Sequence, residues 1–427
     1  MRLHRPTPEA YDMKINRRNL LGSLLAGGVA TLAAGSRGEA AVRSDIKITR
    51  VRILNPQNFK SLAGPVGLAE TVVAVDTNAG ITGYGQGGFP DMLRYAAGSL
   101  IDEDPLRIEY HWQRMYRSSI YPAGRERLHA LGALDCALWD IKGKLLDAPL
   151  YDLLGGRTRD YVECYKSFAG LTVATAREEG RKAMAEGYRA IRFFVAGEFG
   201  TMFDGRRGIV ELAEVCAALR EAVGSRGEFI VDAHTRLSLA DAAQLCERVK
   251  PLSPLFVEDP LHIIDDVNLF AMLRQMTNVP LAAGEQFGDI RDGNTPLVER
   301  NLIDFLRSSI PNVGGVTGFR KLAAICEAHG VAMVPHFTPP IASAAVVHSM
   351  FTFPGQVMYE VYMPALPPYL REAYIFRDGK MYHSDRPGLG VTVDESQLDE
   401  VARIEAKSPE FYHGDPVSRP DGSHLYL

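Results

Sequence analysis

The chain has 427 residues, of which 46% are hydrophobic and 23% are charged, and its formal net charge is −5 at pH 7. This composition is typical of a soluble globular protein, and the length favours one large domain accompanied by a smaller one. The acidic balance excludes a strongly basic surface, so nucleic acid is not expected as a partner. Five cysteines have no CxxC spacing and are interpreted as buried free thiols: Cys136, Cys164, Cys216, Cys246 and Cys326.

The first segment has the pattern of an export signal. The twin arginines Arg17 and Arg18 precede a weakly hydrophobic stretch from Leu20 to Ala34, and small residues follow it. This predicts a twin-arginine signal and linker over residues 1–41 and a periplasmic or exported protein. A cytoplasmic protein is the alternative, and Met13 is an alternative first residue. The stretch is too short and too rich in Gly and Ala to span a membrane, so no stable membrane insertion is expected.

Residues 42–160 have a mixed pattern. Ile48 to Leu54 alternates like a strand, and residues 71–85 resemble a hairpin with a glycine-containing turn. Apolar residues then recur at helical spacing through Leu128–Lys144. We therefore predict an N-terminal α+β domain here.

From residue 161 to 362 the pattern alternates between strands and amphipathic helices such as Leu239–Val249 and Gly318–His329. Eight such units in sequence predict a closed parallel barrel of the TIM type, whereas a doubly wound open sheet is the structural alternative. No GxGxxG follows the first strand, which disfavours dinucleotide binding. Residues 363–427 are predicted to pack back on the first domain. The candidate strands are Val162–Ser167, Ala190–Val195, Phe229–His234, Leu255–Glu258, Leu281–Glu285, Phe305–Ser309, Val331–His336 and Val357–Glu360.

Three acidic residues close successive apolar runs: Asp232 in FIVDAH, Glu258 in LFVEDP and Glu285 in PLAAGE. They are separated by 26 and 27 residues, about one strand–helix unit. Side chains at the C-terminal ends of barrel strands converge on the barrel mouth. Three carboxylates at one point predict one Mg²⁺ per subunit, with coordination positions left for water or substrate. Taken singly, each could be a helix N-cap or a solvated loop residue.

Two histidines accompany the predicted metal site. Residues i and i+2 of a strand face the same side, so His234 and Arg236 are expected beside Asp232. His336 ends the seventh strand, across the mouth. Such a pair suits general base and general acid work near neutral pH, although a buried hydrogen-bonded histidine is the structural alternative.

Three further charged residues are candidates at the rim. Arg192 ends the second strand and could act as an electrophilic group or simply pair with a carboxylate. Lys166 on the first strand and Glu360 on the eighth occupy similar positions and are, with Arg236, candidate substrate-binding residues. A structural role is the alternative for each.

The chain resembles the mandelate racemase/muconate lactonizing branch of the enolase superfamily over about residues 46 to 400. The segments that carry the resemblance are LHALGALDCALWDIKGKLL with PLYDLLGG, then VDAH, VEDP, AGEQ, NVGGVTG and VPHF. The resemblance implies an α+β capping domain over a (β/α)7β barrel, and one Mg²⁺ on Asp232, Glu258 and Glu285. It also implies that a carboxylate substrate loses its α-proton to give a metal-stabilised enediolate.

Within that branch, the Asp-x-His-x-Arg pattern at 232–236 is similar to acid-sugar dehydratases of the mannonate and galactonate types. This resemblance implies that His234 protonates the departing hydroxyl. Arg192-Phe193-Phe194 stands where racemases have Lys-x-Lys, which disfavours two-base racemisation. Ser309 replaces the aspartate that galactonate-type enzymes pair with the seventh-strand histidine, and the loop after the second strand has no tyrosine. His336 is therefore the first choice for the base and Lys166 the second.

The sequence thus predicts Mg²⁺-dependent dehydration of a sugar acid to a 2-keto-3-deoxy acid. The expected binding partner is this small-molecule carboxylate substrate, and the protein is expected to form a homo-oligomer. Epimerisation, racemisation or cycloisomerisation on the same enediolate is the first alternative. A non-catalytic periplasmic sensor is the second. The residues do not identify the sugar acid.

Overall fold

The computed structural model describes residues 45–57, 70–118, 124–169, 172–194, 205–262, 266–361, 364–408 and 417–424. Residues Lys47–Leu427 form one compact unit. The predicted twin-arginine signal and linker of residues 1–41 lies outside the described residues. Among the helices within these ranges, none has both the length and the apolar character needed to cross a membrane.

The N-terminal region forms an antiparallel sheet covered by helices. Its elements are β1 (Ile48–Pro56), β2 (Val72–Thr77), β3 (Thr82–Gln86), α1 (Pro90–Ala97), α2 (Ile108–Arg117), α3 (Arg125–Leu146) and the short α4 (Leu150–Leu153). A late strand, β16 (Leu398–Ile404), completes the sheet in the order β16-β1-β2-β3. The helix α3 packs on β3 so closely that a Cβ atom at Gly85 would lie 1.8 Å from the Ala133 carbonyl oxygen. We call these elements the capping region.

The second region alternates strictly between strands and helices, as the sequence predicts. Its strands are β4 (Val162–Ala169), β5 (Ala190–Phe194), β6 (Glu228–Asp232), β7 (Phe256–Glu258), β8 (Leu281–Ala283), β9 (Phe305–Leu306), β10 (Ala332–Met333) and β11 (Tyr359–Val361). The helices that connect them are α5 (Val173–Ala185), α6 (Gly205–Val223), α7 (Leu239–Val249), α8 (Val267–Met276), α9 (Thr295–Glu299), α10 (Val316–His329) and α11 (Pro340–Thr352).

All these strands pair in parallel, from β4 through β10 in chain order. The last strand, β11, pairs with β4, and a bridge from Met333 to Val357 joins it to β10. The sheet is therefore closed, and the (β/α)7β barrel predicted from the sequence is confirmed. Closure excludes the open doubly wound sheet.

The barrel interior is apolar at its base and charged at its mouth. One ring of buried side chains from the strands fills the base: Tyr165, Ala190, Ile230, Phe256, Ala282, Phe305, Ala332, Val334 and Met358. The carboxylates of Asp232 and Glu258 follow at the C-terminal ends of their strands. This packed base fixes the positions of the strand ends, and it is these ends that position the charged groups.

The C-terminal segment returns to both regions. It contains β12 (Leu370–Glu372), β13 (Ile375–Arg377), β14 (Lys380–Tyr382) and β15 (Thr392–Val393) before β16. β14 pairs antiparallel with the start of β4, and β16 pairs antiparallel with β1. The backbone N–H of Leu389 donates to the buried carboxylate of Asp140 on α3 (2.8 Å).

Candidate active site

The two neighbouring strands β6 and β7 end in acidic residues that lie side by side. Asp232 and Glu258 are direct partners in the strand register, and both side chains are fully buried. Glu285 lies two residues beyond the end of β8, after Gly284 (φ +131°), and is also buried. The structure therefore brings Asp232 and Glu258 together, whereas Glu285 follows the neighbouring strand β8 and is not among the carboxylates whose oxygens lie within 4.8 Å of one another.

A fourth carboxylate, which the sequence analysis did not assign, joins this group. Asp259 is buried, and Asp232, Glu258 and Asp259 each offer an oxygen within 4.8 Å of the others. Gln286 donates a hydrogen bond to Asp259 Oδ2 (3.3 Å). The backbone of Asp259 has φ +39°, which is an uncommon conformation for a residue other than glycine. Such outliers concentrate at functional sites. The signal in the sequence was the Asp that directly follows Glu258 in VEDP.

Arg192 lies among these carboxylates. Its guanidinium contacts Asp232 and Glu360, and its Nε is 3.1 Å from Glu258 Oε2. Burial alone would lower the pKa of Arg192, but the charges of Glu258, Glu360 and Asp232 raise it well above its ordinary value. The side chain is therefore a fixed positive charge at the mouth.

A second buried arginine, Arg307, was also missed by the sequence analysis. It stands directly after β9 and is fully buried. Its Nε donates to Glu258 (2.7 Å), one Nη donates to Glu285 (3.1 Å) and Glu360 (2.6 Å), and the other donates to Tyr165 Oη (2.5 Å) and the Val334 carbonyl (2.8 Å). These contacts use all five N–H donors of the guanidinium. Arg307 thus holds two of the predicted metal ligands by one oxygen each.

The buried charges at the mouth do not balance. Five buried carboxylates face two buried arginines, which leaves an excess of three negative charges if all are ionised; we call these seven residues the mouth network: Asp232, Glu258, Asp259, Glu285, Glu360, Arg192 and Arg307. Burial raises the pKa of Glu258 well above its ordinary value even though both arginines oppose this. Within the described residues, Glu258 Oε2 accepts no hydrogen bond. An excess of buried carboxylate oxygens is the donor set that a divalent cation such as Mg²⁺ requires.

His234 lies beside Asp232, but not for the reason that the sequence suggested. The strand ends at Asp232, so the alternation of side chains does not extend to residue 234. Instead His234 and Thr235 have left-handed φ values of +51° and +59°, and this turn brings His234 Nε2 within 3.2 Å of Asp232 Oδ2. The backbone N–H of His234 also donates to Asp232 Oδ1 (2.7 Å). Two consecutive non-glycine residues in this conformation indicate a turn that the surrounding structure holds against strain.

His336 lies on the opposite side of the mouth, in the loop after β10. Its Nε2 is 3.7 Å from Glu285 Oε2, and its Nδ1–H donates to the Phe337 carbonyl (2.8 Å). That bond leaves the lone pair of a neutral ring on Nε2. Burial lowers the pKa of His336, although Glu285 and Glu360 oppose the shift. The imidazole is therefore neutral at neutral pH, with its basic nitrogen beside Glu285.

Ser309 does not contact His336 through a hydrogen bond. Its buried Oγ has no hydrogen-bond partner among the residues that the structure describes. Ser309 therefore does not hold the His336 ring in place.

The remaining candidates occupy different surroundings. Glu360 is fully buried and bridges Arg192 and Arg307 (2.6 Å to the latter), while Ser167 donates to it (2.8 Å). Arg236 is half-buried in the loop after β6, where its backbone N–H donates to the Ala233 carbonyl (3.1 Å). Lys166 is not brought to the site: it alternates with inward-facing Tyr165, and its Nζ pairs with Glu186 (2.6 Å) at the end of α5.

Comparisons with known proteins agree with this architecture. Residues 175–397 match the family described as enolase C-terminal domain-like, and residues 63–155 match the N-terminal domain of mandelate racemase/muconate lactonizing enzyme. The chain is 31% identical over 367 residues to a D-galactonate dehydratase of Pectobacterium atrosepticum, covering 82% of this chain and 94% of that protein. It is 33% identical over 359 residues to a D-mannonate dehydratase of Caulobacter sp., covering 75% of this chain and 88% of that protein.

Solved structures show the same likeness. An enolase of Pantoea ananatis with bound D-gluconate and Mg matches with a TM-score of 0.74 at 28% identity, covering 82% of this chain and 94% of that one. A putative galactarate dehydratase of Agrobacterium radiobacter with bound Na and L-malate matches with a TM-score of 0.73 at 29% identity, covering 89% of this chain and all of the other.

Proposed function

The chain belongs to the mandelate racemase/muconate lactonizing enzyme family of the enolase superfamily, and from this premise we propose that it is a Mg²⁺-dependent hydro-lyase that dehydrates a sugar acid. The observation that carries the proposal is the pair of histidines on opposite sides of one carboxylate cluster. His234 lies 3.2 Å from Asp232, and His336 lies 3.7 Å from Glu285. The sugar-acid substrate class is supported by the relatives named D-galactonate and D-mannonate dehydratase.

Asp232, Glu258 and Glu285 would hold the Mg²⁺, with Asp259 close to the first two. The charge excess of the mouth network supports this assignment, since five buried carboxylates and two arginines leave either negative charge or protonated carboxyl groups, and a divalent cation can neutralise the charge and displace the protons. A bound Mg²⁺ supplies positive charge for the carboxylate of the substrate and for the negative charge that grows on it after deprotonation.

His336 is proposed as the general base. Its Nε2 carries a lone pair because Nδ1–H is already donated to Phe337. The C–H bond α to the substrate carboxylate breaks, the proton moves to Nε2, and the electron pair remains on the substrate as an enediolate. Glu285 lies next to the imidazolium so formed and stabilises it, which is the task that galactonate-type enzymes assign to the aspartate replaced here by Ser309.

His234 is proposed as the general acid. As the enediolate collapses, the bond from Cβ to its hydroxyl breaks, and His234 donates a proton so that the hydroxyl leaves as water. The resulting enol tautomerises to a 2-keto-3-deoxy acid. Arg192 adds a fixed positive charge beside the centre where negative charge develops, and Arg236 and Glu360 remain proposed substrate-binding residues.

The test is a dehydration screen. Purified protein with Mg²⁺ would be incubated with a panel of aldonic and aldaric acids, and 2-keto acid formation would be read with semicarbazide. We expect a substrate on this panel, and we expect His336→Asn and His234→Asn each to lower kcat by about 10²–10⁴-fold. Lys166→Met serves as the matched control, because this side chain pairs with Glu186 outside the mouth.

Other outcomes discriminate between the alternatives. Solvent deuterium at Cα of recovered substrate without 2-keto acid would favour epimerisation or racemisation. Mg²⁺ binding without turnover over the whole panel would favour a sensor. Full activity of His234→Asn with an intact metal site would contradict the acid assignment.

We also propose export through the twin-arginine route and assembly into a homo-oligomer. Cell fractionation with Arg17→Lys and Arg18→Lys together tests the first, since the paired arginines are the recognised element of such signals. Light scattering of the purified protein tests the second.

A further inference from the structure

Glu285 lies beyond the end of its strand, and side chains hold its backbone in place. β8 ends at Ala283, and the Glu285 carbonyl accepts hydrogen bonds from Asn312 Nδ2 (2.7 Å) and Arg125 Nη2 (3.2 Å). Asn312 belongs to the turn Pro311–Val313 before α10, whereas Arg125 is the first residue of capping helix α3. The peptide plane of Glu285 is thus set by contacts from outside its own strand.

The orientation of the Asn312 amide is fixed in turn by α3. Its NH₂ group donates to Glu285, so its Oδ1 must accept, and it does so from His129 Nε2 (2.7 Å). Both side chains are buried, at 1% and 7% exposure, so water does not compete for these bonds. Burial lowers the pKa of His129 to about 4, against the hydrogen bond to Asn312, so the ring is neutral with its proton on Nε2.

The far end of the same loop is also tied to the capping region. Tyr116 on α2 donates its hydroxyl to the Asp289 carboxylate (2.6 Å and 2.7 Å to its two oxygens). Asp289 caps the turn Ile290–Asn294, and Asn294 Nδ2 donates to its carbonyl (2.6 Å). The capping helices therefore fix both ends of residues 285–289.

We propose that Asn312 and His129 are positioning residues that orient Glu285 for the metal, so that the capping helix α3 is part of the metal site. This rests on the proposed function in one respect, the assignment of Glu285 as a ligand. The two hydrogen bonds to the Glu285 carbonyl hold the backbone of this residue in place, so their loss lets the residue shift and moves its carboxylate relative to the other ligands. Residues that orient metal ligands in this way contribute to affinity without touching the metal.

The experiment measures Mg²⁺ affinity by calorimetry in the full-length protein. Asn312→Leu removes the donor to Glu285 in a side chain with the same branching, and His129→Leu removes the donor that orients Asn312. Each is expected to weaken Mg²⁺ binding by about 10–100-fold. His129→Gln keeps an N–H donor for Asn312 Oδ1 and is expected to restore affinity, which a role in packing alone does not explain.

The matched control lies at the same interface. Trp139 on α3 donates to Thr317 Oγ1 (2.9 Å), and Thr317 is as buried as Asn312 but does not contact Glu285. Thr317→Val should lower the melting temperature and leave Mg²⁺ affinity unchanged. The kcat of Asn312→Leu should recover at saturating Mg²⁺, whereas the Mg²⁺ concentration for half-maximal activity should rise.

The outcomes separate the two proposals. Mg²⁺ affinities of Asn312→Leu and His129→Leu that match that of Thr317→Val overturn the positioning role and leave the proposed function in place. Absence of Mg²⁺ binding in the unsubstituted protein overturns the metal assignment and this inference together. If Asn312→Leu does not fold, equal affinities of His129→Leu and His129→Gln overturn the positioning role.

Discussion

Two of the arginine–carboxylate networks in the described part of the chain differ in charge balance. In the first, Arg50 and Arg52 of β1 pair with Asp76 of β2, and Arg52 also pairs with Glu395 near β16. This capping network has two charges of each sign and is half-exposed at its edge. The mouth network is fully enclosed and has five carboxylates for two arginines.

The difference indicates what each network is for. A balanced, partly hydrated network is satisfied by its own members and links β1 to β2 and to the turn before β16. Enclosing an excess of like charges is costly, so the carboxylates of such a cluster either take up protons, as the raised pKa of Glu258 indicates, or bind a further cation. We therefore interpret the capping network as structural and the mouth network as functional.

The largest effect is expected when the mouth network loses Arg307. Arg307→Met leaves Glu258, Glu285 and Glu360 without their shared buried partner. Breaking a buried network from one side costs about 3–5 kcal/mol of unfolding free energy. Urea unfolding monitored by circular dichroism would measure it. A loss no greater than that of Arg52→Met in the capping network would contradict the distinction drawn above.

The next largest effect is expected on addition of Mg²⁺, which should stabilise the protein through the mouth network and not through the capping network. Ligand at about 100 times its Kd adds about 2.7 kcal/mol to the unfolding free energy when it binds only the folded protein. We expect this gain in the unsubstituted protein and its loss in Glu258→Gln, which keeps the shape of the side chain and removes its charge. Asp76→Asn in the capping network should retain the gain, and thermal unfolding with and without Mg²⁺ measures all three.

Acid should reduce the contribution of the capping network to the unfolding free energy, and this effect should be smaller than the two above. A hydrogen bond from Arg52 lowers the pKa of Glu395. Burial alone would raise the pKa of Asp76, but the hydrogen bonds from Arg52, Thr82 and Arg50 outweigh burial, so this pKa is also lowered. A carboxylate with a lowered folded-state pKa stabilises the fold above its unfolded pKa of about 4, and this contribution is lost as the pH falls further.

Arg52→Met should therefore reduce the unfolding free energy by about 1 kcal/mol at pH 7, a value kept small by solvent screening, and by less as the pH falls below about 4. Urea unfolding at several pH values would measure the difference between the variant and the unsubstituted protein. A difference that grows towards acid pH would contradict this sign.

The sequence predicts those parts of the structure that depend on regularly spaced residues. The closed barrel and the positions of Asp232, Glu258 and Glu285 follow from a repeated strand–helix unit, and that repeat is visible in the chain. Arg307 was missed because nothing in the segment LRSS indicates that its arginine is enclosed by carboxylates. A buried arginine is identified only by the carboxylates around it, and those around Arg307 come from β7, from the loop after β8 and from β11.

Loop geometry was the other limit. The approach of His234 to Asp232 depends on two left-handed residues, and no spacing rule predicts that turn in a sequence without glycine there. The hydrogen bonds that position Glu285 come from Arg125, from Asn312 and, through Asn312, from His129. These residues are distant in the sequence, so no local pattern encodes the contacts. Lys166 lies on a strand that the sequence locates, but in the structure its side chain pairs with Glu186 outside the mouth.

Lys166→Met gives the smallest expected effect and the sharpest test of which groups belong to the mouth network. The Nζ of Lys166 lies 2.6 Å from Glu186, and both side chains are partly exposed, at 22% and 39%. Exposed pairs of this kind contribute about 0–1 kcal/mol, so the unfolding free energy should change by no more than this. Neither kcat nor Mg²⁺ affinity should change, because Tyr165 and Ser167, not Lys166, face the barrel interior and Glu360. A drop in kcat with unaltered stability would instead place Lys166 among the catalytic groups, and it would make the lysine rather than His336 the leading candidate for the base.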